Sequence, residues 1–145
     1  MSKGEQERRT GTQEMIDKLL VERQEVLVLF CRVAGLEPYS RTESLDSLLQ
    51  KFCQVLVDYT AFGHFEVFGH ISDGRERRSN VLKVAEALYP TYVEASEAAV
   101  NFNDKYDLSD HALDFSNLAE DLSKLGEELA SRIEMEDRLL STMLK

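Results

Sequence analysis

Apolar residues recur at every third or fourth position through four long stretches of this chain, a spacing that gathers them on one face of a helix. The first runs Ile16, Leu19, Leu20, Val26, Leu27, Phe30, Val33 and Ala34, and it should stop where Gly35 and then Pro38 oppose further helix. The second starts after Thr42, a candidate N-cap, and carries Leu45, Leu48, Leu49, Phe52, Leu56 and Tyr59. Gly63 allows a break or bend before Phe65, Val67, Phe68 and Ile71, and the polar run from Ser72 to Ser79 reads as a connector.

The third stripe, from Val81 through Leu88, Tyr92, Ala99 and Phe102 to Tyr106, keeps its period across Pro90, which has no N–H to give the carbonyl of Glu86. That predicts one kinked helix or two nearly collinear ones. The fourth stripe, Leu118, Leu122, Leu125, Leu129, Ile133, Leu140 and Met143, belongs to a helix expected to begin near Ser109. Four main helices with short connections predict an all-α, antiparallel up-and-down bundle with a bend near Gly63 and a kink near Pro90. With 145 residues, 43% of them hydrophobic, one core is affordable, so residues 13–145 are expected to form a single domain behind a disordered polar tail at 1–12.

Charge narrows the partners. The net charge is −10, and it is uneven: residues 1–93 carry 14 acids and 12 bases, residues 94–145 carry 13 acids and 5 bases. No basic stripe is present to displace counterions from phosphate, so direct nucleic-acid binding is not expected and a basic partner is. No apolar run suits a signal peptide or a membrane span, which points to a soluble cytoplasmic protein. Cys31 and Cys53 lie inside apolar stripes, where a thiol behaves as a small hydrophobe.

Enzymatic chemistry finds no foothold. A di-metal bundle site needs a Glu and a His three residues later on each of two helices, and His64, His70 and His111 have no such partner. There is no phosphate-binding glycine loop and no nucleophile elbow. No metal, cofactor or catalytic residue is expected. Three charges do fall on or beside the apolar stripes: Arg23, Arg132 and Glu136. Burying a lone charge is costly, so they should pair as a structural network between the first and last helices.

The segment Phe52-Cys53-Gln54-Val55-Leu56-Val57-Asp58-Tyr59, followed by Gly63-His64-Phe65-Glu66-Val67-Phe68, resembles the Rsd/AlgQ family of bacterial regulators that bind the primary sigma factor. Ile16-Asp17-Lys18, Glu22-Arg23-Gln24 and Gly35-Leu36-Glu37-Pro38 support it near the start, and Arg132, Glu134 and Met135-Glu136-Asp137 near the end, so the likeness spans about Met15 to Met143. It departs where the family usually has Ser-Ala before Gly-His-Phe, here Ala61-Phe62, and where the first helix usually carries a tryptophan, here Leu19.

The resemblance implies a helical bundle that sequesters the fourth conserved region of sigma, keeping it from the polymerase core and from promoter DNA. It also implies a free monomer, one-to-one with sigma when bound, and offers as an alternative an adaptor docking on a phosphocarrier protein or a ppGpp hydrolase. The expected contact patch centres on Asp58, which the helical wheel sets opposite Leu56 and the core, with His64, Phe65 and Arg23 around it. Phe65 could equally pack inward, and His64 could orient the bend instead of touching the partner.

Overall fold

A computed structural model describes residues 3–36, 43–72, 74, 76–107 and 114–144. The described residues fold into α1 (Lys3–Ala34), α2 (Leu45–Phe62), a π-helical turn (Gly63–Phe68), α3 (Gly69–Ser72), α4 (Ser79–Tyr106) and α5 (Leu118–Met143). Because α2, the π turn and α3 follow without a gap, they make one rod, and four rods form the bundle.

Contacts across the core fix its direction. Phe30 of α1 meets Phe52 of α2 and Lys18 meets Phe62, so the first two rods are antiparallel. Phe52 meets Phe102 and Phe68 meets Tyr92, which runs α4 antiparallel to the second rod. Tyr106 meets Asp121 and Tyr92 meets Glu136, which does the same for α5 against α4. The described apolar stripe residues face inward or lie against the core, Leu20, Leu27 and Ile133 excepted.

Several boundaries differ from expectation. The chain is helical from Lys3, where a disordered tail was expected, because Glu, Gln, Lys and Arg are good helix formers even without an apolar face. The N-cap of α2 is Ser44, whose hydroxyl accepts from the Ser47 amide at 3.3 Å; Thr42 lies outside the described residues. At the end of α1, Gly35 takes φ of 69°, and the Leu36 amide reaches back to the Cys31 carbonyl at 2.9 Å, closing a Schellman cap. α4 is one continuous helix across Pro90, which stands on its exposed side. α5 begins at Leu118, later than the expected start near Ser109; residues 108–113 lie outside the described residues.

Gly63 neither breaks nor caps the rod: its backbone is right-handed helical, φ −60° and ψ −42°. The turn it opens widens instead. An α-helix advances about 100° per residue, so at that pitch Glu66 would fall two turns after buried Tyr59 and Phe68 three turns after exposed Val57. A π turn acts as one inserted residue and rotates everything after it. Glu66 accordingly turns out to solvent while Val67, Phe68 and Ile71 turn into the core.

Asp121 pins α4 to α5, accepting from the Tyr106 hydroxyl and from Lys105 Nζ at 2.7 Å. The Lys105 bond, seconded by Tyr106, holds the Asp121 carboxyl below the usual aspartate range. A carboxyl depressed in the fold contributes stability above its unfolded pKa, and that contribution disappears as pH falls through the folded value. Asp121→Asn should therefore flatten the acid limb of stability against pH below about 4, read from urea midpoints at several pH values. An unchanged limb would show that Asp121 carries no such linkage.

Candidate functional site

The polar centre of the bundle lies where α1, α2, α4 and α5 converge. Arg132 and Glu136 of α5 are 0% and 1% exposed. The Glu136 carboxylate gathers four donors: Oε1 accepts from the Tyr59 hydroxyl and from Arg23 Nη2 at 3.1 Å, and Oε2 from the Tyr92 hydroxyl at 2.8 Å and Arg132 Nε at 3.2 Å. Arg23 also donates to Asp137 at 2.9 Å. Two guanidinium groups and two hydroxyls thus converge on one carboxylate, which is how a buried charge is kept tolerable.

The Arg132 guanidinium lies between two rings, its central carbon 4.7 Å from the Tyr59 centroid and 4.4 Å from that of Tyr92. Burial opposes its charge, but Tyr92, Glu136 and Tyr59 outweigh that and raise its pKa further. Its Nη2 donates to the Tyr92 hydroxyl at 2.5 Å and to the carbonyls of Thr60 at 3.1 Å and Tyr59 at 3.4 Å; its Nη1 donates to Ser96 Oγ at 3.2 Å. The Gly63 amide points at the same two carbonyls. Arg132 therefore supports the backbone where α2 gives way to the π turn.

Above this cluster lies the surface singled out by sequence. Asp58 is exposed on α2, and Phe65, two turns further, is 67% exposed on the π turn. His64 is half-buried between them and α4: its ring meets Phe65 edge-on at 4.9 Å and stacks on exposed Tyr89 at 6.2 Å. Phe65 is thus turned outward, away from the core that was its alternative. Arg23 is 12% exposed and its guanidinium pairs with Glu136 and Asp137, which places it in the polar cluster with Arg132 and Glu136.

Tyr59, Tyr92, Ser96 and Gly63 were missed as members of the cluster. A signal existed for the tyrosines, since each sits in an apolar stripe and a buried hydroxyl needs a partner. Leu19, at the usual tryptophan position, is fully buried, while Phe62, the bulky departure, lies half-buried under the Lys18 ammonium at 4.8 Å. Burial pushes the Cys53 thiol up to about 12, as expected of a small core hydrophobe. Among the described residues no helix is long and apolar enough to cross a membrane.

The family model described as regulator of RNA polymerase sigma(70) subunit, Rsd/AlgQ, matches residues 2–144. The chain belongs to the Rsd/AlgQ family. Among relatives, a protein named Regulator of sigma D from Yersinia enterocolitica serotype O:8 is 31% identical over 136 residues, covering 90% of this chain and 80% of its own. A protein of the same name from Enterobacter sp. (strain 638) is 34% identical over 145 residues, covering 95% of this chain and 85% of its own. No solved structure matches it. For an Rsd/AlgQ protein the all-helical bundle, the family's regulation of the sigma subunit and the absence of strands among the described residues agree.

Proposed function

We propose that this chain is an anti-sigma factor that holds the fourth region of the primary sigma factor through the face made by Asp58, His64 and Phe65, acting by sequestration and not by catalysis. The observation that carries the assignment is the large outward ring of Phe65, two turns from an exposed carboxylate, on a rod whose other aromatic residues are at least partly buried. A ring open to water loses apolar surface on binding, and Asp58 can take a charge-assisted bond from an arginine or lysine of a basic DNA-binding surface, worth roughly 1.5 to 3 kcal/mol once desolvated. His64 backs Phe65 edge-on and sets its ring between the π turn and Tyr89.

The test is Asp58→Ala and Phe65→Ala, each melted and each titrated calorimetrically with the fourth sigma region. Parent-like melting and binding weakened at least about tenfold, equivalent to about 1.4 kcal/mol, is the expected result. Normal binding by both would remove this face from the interface. With a net charge of −10, association should also slow as salt shortens the Debye length from about 10 Å at 0.1 M to about 3 Å at 1 M.

A further inference from the structure

Tyr92 is fully buried, so it cannot touch a partner, yet it reaches both ends of the π turn. At the start its hydroxyl donates to Glu136 at 2.8 Å and accepts from Arg132 Nη2 at 2.5 Å. That same nitrogen donates to the Tyr59 and Thr60 carbonyls, the pair the Gly63 amide also addresses. At the end its ring packs on Phe68 with centroids 4.4 Å apart. π turns are intrinsically rare and need such local support, and they concentrate at functional positions.

We propose that Tyr92 is a positioning residue for the partner face: by clamping both ends of the π turn it fixes the direction in which Phe65 leaves the rod relative to Asp58. The proposal rests on the partner face assigned above. Asp58 lies on regular α2, before the junction, and its direction does not depend on the widened turn. Phe65 lies inside that turn. At α-helical pitch the two side chains would leave the rod within about 20° of each other, since seven residues make nearly two whole turns. Each residue of a wider turn advances less than an α-helical one, so Phe65, inside the π turn, lags that alignment further, and His64 beside it stacks on Tyr89 of α4. A partner that fits the observed pair would not fit the aligned one.

The experiment is a double-mutant cycle on binding of the fourth sigma region to the full chain, with folding followed by circular dichroism. Tyr92→Phe removes only the hydroxyl. It should weaken binding about fivefold, or about 1 kcal/mol, and in its background Phe65→Ala should cost less than about threefold where it costs about tenfold in the parent. Asp58→Ala should cost the same factor in both backgrounds. A merely structural role would not produce this selectivity, because a smaller folded fraction scales every variant alike.

Parent-like binding by Tyr92→Phe, or an equal Phe65→Ala loss in both backgrounds, overturns the positioning role and leaves the face standing. If Phe65→Ala already binds normally in the parent, the face itself is wrong and the positioning role falls with it. Should Tyr92→Phe fail to fold, Ser96→Ala removes a peripheral anchor of Arg132, the 3.2 Å bond to Nη1, and carries the same cycle. Selective coupling to Phe65 is then expected, and its absence counts against the proposal equally.

Discussion

Glu136→Gln should destabilise the bundle by about 3 to 5 kcal/mol, the range for breaking a buried ion pair by removing one partner. The carboxylate accepts from Tyr59, Tyr92, Arg23 and Arg132 at once, and a glutamine amide offers one oxygen and a nitrogen that points donors at donors. Arg132, with no exposed surface, would lose the buried carboxylate it pairs with. For a chain of this size the melting point should fall on the order of 10 °C. The control is Asp137→Asn, whose carboxylate also meets Arg23 but is 58% exposed, and which should cost less than about 1 kcal/mol. Equal melting of parent and Glu136→Gln would mean that the cluster contributes no net stability.

Gly63→Ala is the second large effect, and it comes from space and not from backbone freedom. The glycine backbone is ordinary right-handed helix, so alanine would be tolerated, even favoured, on propensity alone. A methyl group built there would, however, collide with the Tyr92 hydroxyl and with Arg132 Nη2 and touch Glu136 Oε2 at 3.4 Å. None of these is the loose end of a flexible side chain, because each is held by the others. Overpacking of this kind costs typically about 1 to 3 kcal/mol, and the polar cluster puts the expected loss at the upper end. Denaturant midpoints would measure it, and a stability at or above the parent's would show that Arg132 can withdraw freely. Gly126→Ala, beside the Phe30 ring at 3.0 Å, should cost less, since an aromatic ring at the α1–α5 seam has room to tilt.

How far the sequence could be followed depended on the range of the interactions involved. The stripes from Leu45 to Tyr59 and from Leu118 to Met143 repeat a local period, so helix type and buried face could be read without knowing any neighbour. Arg23, Arg132 and Glu136 could be grouped because a charge on an apolar stripe must find a counter-charge. Gly63 was different. Its helix-breaking tendency suggested a bend, while its role is to leave room for side chains thirty and seventy residues away in sequence, a contact that local patterning does not encode.

The same division separates the parts of the proposed interface. Asp58 lies in a regular helix, and its outward direction follows from counting residues back to the core. Glu66 and Phe68 could not be phased, since the count changes inside the π turn, where Arg132, Tyr92 and Glu136 arrive from two other helices. Sequence alone thus determined four amphipathic rods, their core faces and the family motif, because these rest on spacing within single segments. Only the tertiary structure decided where the second rod widens, and with it that Glu66 turns out while Phe68 turns in, because that rests on hydrogen bonds and excluded volume between segments far apart in the chain.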